Sequence, residues 1–233
     1  GAVVCSGGDW ASAFCRRHGI SFPQASVRAS VLRTRPLEGL PPALSTPECT
    51  LTRRLDGSYI VAISGRGTLE FTPQALRYAR EFMPMFMKRI KAVEFGIGRS
   101  FFRGPEALGS WDFDKESPFE QIRVLDPAPD QGAVRRLLGC VKQLYPVMKD
   151  VTVSDAWGAY IDSTPDAVPV ISAIDRIKGL VLAAGFSGHG FGTGPGAGHL
   201  AASLVTGEQP AVDPTPFRFS RFGDGSKVTV GAI

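Results

Sequence analysis

The sequence lacks most of the features that would assign it quickly. Its apolar runs stop far short of the roughly 20 residues that cross a bilayer, so no transmembrane segment is expected. The first ten residues have no basic stretch and no long apolar core, and they do not read as a signal peptide. The four cysteines, Cys5, Cys15, Cys49 and Cys140, include no C-x-x-C pair, and with three scattered histidines they offer no metal site. Free thiols of this kind suit a reducing cytoplasm, the expected location, either free there or held on the cytoplasmic side of a membrane. Net charge is only +4, and the arginine pairs at 16/17, 53/54 and 135/136 never extend into a run. No nucleic-acid footprint is therefore expected. No serine or cysteine nucleophile motif is present.

What remains is an ordinary globular composition, 43% hydrophobic and 21% charged over 233 residues. Ala2 to Cys5 reads as a core strand, followed at once by Ser-Gly-Gly-Asp-Trp10 and a short helix over Ala11 to His18. A chain that opens inside a buried strand is not expected to begin naturally at residue 1. Val27 to Arg35 alternates, placing Val27, Ala29 and Val31 on one face of a half-buried strand. Asp56-Gly57 between Thr50–Leu55 and Ser58–Ser64 predicts a hairpin with a primed turn. Thr72-Pro73 opens a helix. Ala75, Leu76, Ala79, Phe82, Met83, Phe86, Met87 and Ile90 recur at helical spacing, with a kink expected at Pro84. That Met and Phe stripe is expected to be core. A strand broken by Gly96 and Gly98 is expected over 92–102, a loop over 104–130, and an amphipathic helix over Gly132 to Tyr145. Strands follow at Val151 to Ile161 and Val168 to Ile171.

The densest signal is Leu180-Val-Leu-Ala-Ala-Gly-Phe-Ser-Gly-His-Gly-Phe-Gly-Thr-Gly-Pro-Gly-Ala-Gly-His-Leu200. It reads as a buried strand, a glycine loop and an apolar helix. Glycines admit close backbone approach, and a helix start presents free N–H groups and a positive dipole end. Gly192 to Ala197 also matches a dinucleotide fingerprint, G-x-G-x-x-G/A. Only Pro-rich sequence follows it, so no βαβ unit can be completed.

Three stretches together resemble one family. Trp157-Gly-Ala-Tyr-Ile-Asp-Ser-Thr-Pro-Asp-Ala-Val-Pro-Val-Ile171, Gly185-Phe-Ser-Gly-His-Gly-Phe191 and Gly196-Ala-Gly-His-Leu200 resemble the C-terminal part of the D-amino-acid oxidase/dehydrogenase family of FAD enzymes. Val3 to Trp10 resembles that family's mid-chain strand and Gly-x-Trp turn. The resemblance implies an α/β fold of α+β character. An antiparallel substrate-binding sheet with helices, residues 26–165, would be inserted between two segments, 1–25 and 166–233, of an incomplete Rossmann-like FAD-binding domain. The family's N-terminal GxGxxG half has no counterpart, which implies a missing half or subunit as partner.

The implied activity is oxidation of the C–N bond of a D-amino acid or secondary amine to an imine. The resemblance places the flavin against Gly7, Trp10, Gly188, Gly190, Phe191, Gly192, Thr193 and Gly194. His189 either contacts the ring, as the catalytic candidate, or is fixed by backbone hydrogen bonds. His199 is expected to be structural, and Pro195 to take the first helical position. Relatives often carry a cation after GHGF and at the position of Ile161; here Gly192 and Ile161 stand instead. A buried carboxylate needs a cation, and Arg66, between two glycines, is the leading candidate, against the alternative of a solvated loop arginine. Arg99 and Arg103 rank behind it, and Tyr160 is a second substrate-binding candidate. Gly158 and Ala159 stand where some relatives attach flavin through Cys, so noncovalent FAD is implied. Two other readings stay open: a non-catalytic fragment or subunit, and a flavoenzyme of the same family for another substrate class.

Overall fold

The computed structural model describes residues 1–90, 93–96, 98–107, 109, 111–226 and 229–230. Along the chain, β1 (Val3–Cys5) leads through a short 3₁₀ turn into α1 (Ala11–Arg17). Then come β2 (Ala25–Thr34), β3 (Ala43–Ser45), β4 (Cys49–Arg53), β5 (Tyr59–Ile63) and β6 (Gly67–Glu70). Helices α2 (Pro73–Arg77) and α3 (Ala79–Arg89) lead to β7 (Val93–Gly96), α4 (Pro118–Gln121) and α5 (Gln131–Leu144). The chain continues through β8 (Val153–Ser163), β9 (Val170–Ala173), β10 (Leu180–Ala184) and α6 (Gly190–Thr206). Among the described residues no helix is long and apolar enough to cross a membrane.

Two sheets result. The small one has the order β1-β10-β9, with β1 parallel to β10 and β9 antiparallel. Its strand β10 is buried along its whole length. Leu180, Leu182 and Ala184 pack on one side with Ala11, Cys15 and Phe22. Val181 packs on the other with Ala197, Leu200 and Ala201 of α6. A continuous apolar run covered on both faces is what a parallel sheet requires. Strand β1 is only half covered: Val3 is 62% exposed and Val4 42%.

The large sheet runs β3-β4-β5-β2-β6-β7, with β8 paired along the other edge of β2. Its only parallel pair among the described residues, β6 with β7, needs a crossover connection, and α2–α3 supply it. Register sorts the faces. Leu32 of β2 packs with Val134, Leu137 and Val141 of α5, and Asp130 caps that helix by accepting from Ala133 N at 3.0 Å. The opposite face carries Val27 between Leu69 and Ile161, and Ala29 beside Ala159.

Four expectations need correction. The hairpin turn is not primed: Gly57 N donates to Arg54 O, and Gly57 alone has positive φ, +81°. This is a three-residue loop whose glycine takes the left-handed position, an alternative Asp-Gly satisfies equally well. The expected single helix after Thr72 is divided at Tyr78, which is buried and accepts from the Ser21 hydroxyl at 3.3 Å. Pro84 lies inside α3. No residue of α3 is buried, so its stripe is not core. The expected strand over 92–102 is described only as β7 and a 3₁₀ turn, Arg99–Phe101; Ala92 and Ile97 lie outside the described residues.

Candidate functional site

Strands β1 and β10 are parallel neighbours, so their carboxyl ends lie side by side, Cys5 opposite Leu182. Each ends in glycines that open a helical element: Gly7-Gly8 before the turn holding Trp10, and Gly185 to Gly190 before α6. Ligands of α/β sheets bind outside such carboxyl ends. The fold therefore brings together Gly7, Trp10 and the 188–194 loop, which lie far apart in sequence.

The loop is built by specific contacts. Gly185 has φ +78°, and a Cβ there would stand 2.3 Å from Thr164 Cγ2. Its N–H donates to Asp162 Oδ2 at 2.7 Å, and Ser187 N donates to Asp162 O at 2.8 Å. The end of β8 is thereby stitched to the loop. Helix α6 starts at Gly190 with His189 as N-cap and no side-chain cap. Its opening N–H groups, Gly190 to Gly192, precede the first intrahelical bond and point outward from the helix start. The first intrahelical donor is Thr193, to His189 O at 3.1 Å. Pro195 is inside α6, not at its first position, because the helix begins five residues earlier. His189, Phe191, Gly192 and His199 are exposed.

On the face of the large sheet opposite α5 lies a cavity of about 560 Å³. Its floor includes Ala25, Val27, Ala29, Ala62 and Leu69. Its roof is α3, through Phe82, Met83 and Phe86. Ile161, Ser163, Ala167 and Ser187 close the end next to the glycine loop. Ala167 and Ser187 are the two non-glycine residues with positive φ among those described, 60° and 53°. Backbone conformations of this kind cluster at ligand sites. Ala167 is held by its neighbour Asp166, whose carboxylate accepts from Arg221 Nε at 2.7 Å and Nη2 at 3.1 Å, both side chains buried.

Arg66 lines the mouth of this cavity and is exposed, with no hydrogen bond or ion pair among the described residues. Tyr160 does not share the cavity. It pairs with Arg28 across β2 and β8, on the other face, and its hydroxyl is pushed up to about 12 by burial, with Glu70 adding and Arg28 opposing. Arg103 is exposed, and the side chain of Arg99 lies outside the described residues.

Sequence reasoning missed two features. One is the cavity roof, whose residues carry the pattern of a core helix. The other is a group of carboxyls, buried at Asp9 and Glu106 and half-buried at Asp162, at the junction of the two sheets. Burial raises Asp9 to about 7, with Asp162 adding, the nearby Ser26 hydroxyl opposing, and Glu106 adding less. Among the described residues Asp9 Oδ1 accepts no hydrogen bond. Glu106 accepts from Ser26 N at 2.6 Å and from the Thr72 hydroxyl at 2.7 Å. Asp9 falls inside the glycine turn, which signalled the turn but not the burial of its acid.

A substrate-sized apolar cavity that shares an edge with a glycine-rich helix start, at the ends of parallel strands, is the layout of a cofactor-binding α/β site. Residues 1–204 match the model of the DAO family, the FAD-dependent oxidoreductases, and the chain belongs to that family. The glycine oxidase of Pseudomonas putida is 28% identical over 92 residues, 40% of this chain and 25% of that protein. The N-methyl-L-tryptophan oxidase of Salmonella typhimurium is 39% identical over 61 residues, 26% of this chain and 16% of that protein. The L-amino acid deaminase of Proteus myxofaciens, solved in complex with anthranilate, superposes with a TM-score of 0.85 at 30% identity. That alignment covers 95% of this chain and 49% of that one. The deaminase of Proteus vulgaris gives 0.84 at 25% identity, covering 95% and 51%. The chain thus spans about half the length of these solved proteins, and its matches span a quarter or less of the curated relatives.

The family is FAD-dependent, and the residues fit the ring end of that cofactor. A Cβ placed at Gly192 or Gly196, which share one side of α6, meets nothing within 4 Å, so the start of α6 offers bare backbone there to a flat partner.

Proposed function

We propose that this chain is the ring-facing and substrate-binding part of an FAD-dependent oxidoreductase that oxidises the C–N bond of an amino acid or secondary amine to an imine. D-Amino acids are included among its substrates. The observation that carries this reading is the shared edge: Ile161 and Ser187 line the cavity, and Ser187 lies in the loop that opens α6. In this reading residues 26–165 bind substrate, while 1–25 and 166–233 belong to the FAD-binding domain.

FAD bound there noncovalently would supply the two-electron acceptor for the hydride that leaves the carbon next to nitrogen; the nitrogen loses a proton, and water would then hydrolyse the imine. The protein's own contributions are electrostatic and steric. The free N–H groups of Gly190 to Gly192 would hold negative charge at the helix start. Arg66 pairs with the substrate carboxylate at the cavity mouth. The sheet floor and α3 keep water from the reacting carbon and fix its orientation. His189, N-cap of α6 and exposed, would touch the ring edge. Noncovalent binding is supported at Gly158, where a Cβ would stand 2.5 Å from Pro127 O and leaves no room for an attaching side chain.

The half-covered edge of β1 supports the further reading that an N-terminal FAD-binding half completes the small sheet. The test is spectroscopic. The protein joined to that half should carry about one flavin per chain, bleached anaerobically by D-amino acids or N-alkyl amino acids. A flavin bound by residues 1–233 alone would remove the need for a partner half. A flavin untouched by any amine, but reduced by a 2-hydroxy acid, would replace the proposed substrate class.

A further inference from the structure

We infer, building on the function proposed above, that the substrate carries a bulky apolar side chain of leucine to phenylalanine size, housed between the large sheet and α3. Four observations converge on it. The cavity, about 560 Å³, lies within the range of sites for small organic ligands and far exceeds what glycine or sarcosine would fill. Its floor is kept open by small residues, Ala25, Ala29 and Ala62. Its roof, α3, presents Phe82, Met83 and Phe86 toward that floor, yet no residue of the helix is buried. Protein interiors close-pack, so two apolar surfaces held apart across such a gap need a third apolar body between them. Finally, Arg66 stands at the mouth as a cation with no partner among the described residues, which sets one end of the occupant as an anion. Carboxylate at the mouth and side chain under α3 leave the α-carbon at the end formed by Ile161 and Ser187, next to the flavin-facing loop.

The floor then sets specificity. Ala29 is the residue whose enlargement would fill the cavity from below without touching α3 or the glycine loop, and Ala62 offers the same from β5. The experiment uses the flavin-loaded protein with its N-terminal half. Anaerobic flavin bleaching is measured with sarcosine, alanine, leucine and phenylalanine, each optical form separately. Half-saturation should tighten about fourfold for each added methylene. Ala29→Leu and Ala62→Leu should each weaken phenylalanine at least tenfold more than alanine. Sarcosine or alanine outperforming leucine and phenylalanine would overturn the inference while leaving amine oxidation intact. Binding of 3-phenylpropanoate and acetate, followed by calorimetry, decides the matter independently of turnover. Tighter binding of 3-phenylpropanoate by at least tenfold, lost in either leucine variant, supports the apolar chamber even if no amine bleaches the flavin. Equal or absent binding of the two acids means that α3 closes onto the sheet, and the inference fails.

Discussion

Strand β10 and the Phe and Met stripe of helix α3 are both apolar in sequence, and the structure treats them in opposite ways. Every residue of β10 is buried, between α1 on one side and α6 on the other. No residue of α3 is buried, although it carries two phenylalanines and three methionines. Periodicity reports which face of an element is apolar. It does not report whether protein or something else covers that face. The small sheet is thus closed and packed, while one face of the large sheet is built around a space.

Breaking the packed side should have the largest effect. Arg221→Ala leaves Asp166 buried without its cation, and removing one partner of such a pair costs about 3–5 kcal/mol. Chemical denaturation should show that loss, and a change below about 1 kcal/mol would mean that the tail holding Arg221 does not brace the turn at Ala167. Leu182→Ala, at a fully buried position of β10, should cost about 2–5 kcal/mol. A markedly smaller value would show that β10 is loosely held and would blur the contrast with α3.

A third effect is visible in pH. Asp9 is raised from 3.8 to about 7 by burial and then by Asp162. Between those values the folded protein keeps a proton that the unfolded chain has released, so stability falls as pH rises from about 4 to about 7. The contribution is at most about 4 kcal/mol, at about 1.4 kcal/mol per unit. Asp9→Asn, uncharged throughout, should flatten that part of the curve. Burial also raises Asp162 and Glu106, so a weaker slope of the same sign remains. An unchanged slope in Asp9→Asn would place the titration elsewhere.

The sequence made the small sheet and its loop legible because their signals are local. Glycines at 185 and 188 mark backbone that other residues resist, with φ +78° and +86°, and β10 is a run with nothing polar in it. Helix α5 was equally legible, since its apolar stripe does meet Leu32 and Leu51. The cavity was not legible, because its floor is assembled from β2, β5, β6 and β8, and only pairing register sets Val27 beside Leu69 and Ile161. Tyr160 shows the same limit. One residue from Ile161 in sequence, it faces the opposite side of the sheet, as strand alternation demands once the register is known. Arg66 was singled out through its flanking glycines, and it is exposed among the residues that line the cavity.

Arg66→Ala should affect the substrate side alone. A charge-assisted carboxylate contact contributes about 1.5–3 kcal/mol, so KM for an amino acid should rise roughly 10- to 100-fold, since every 1.4 kcal/mol is tenfold. The turnover number should change little, and Arg66→Lys should recover part of the loss. A carboxylate-free amine should be indifferent to the change. If KM for amino acids stays within twofold, Arg66 is a solvated loop residue and the cavity mouth has no anion anchor.

The smallest expected effect is the sharpest test of the contrast. Phe86→Ala removes more apolar volume than Leu182→Ala, and a well-packed phenylalanine would cost about 3–5 kcal/mol. Phe86 is only half-buried and faces a space across from the sheet, so no filled cavity is emptied by its loss. The cost in the ligand-free protein should stay below about 1 kcal/mol, the size expected where neighbours are few. With 3-phenylpropanoate bound, the same substitution should cost more, because the ligand supplies the contacts that the sheet does not. A large cost without ligand would show α3 packed against the floor. An equal cost with and without it would separate the roof from substrate binding altogether.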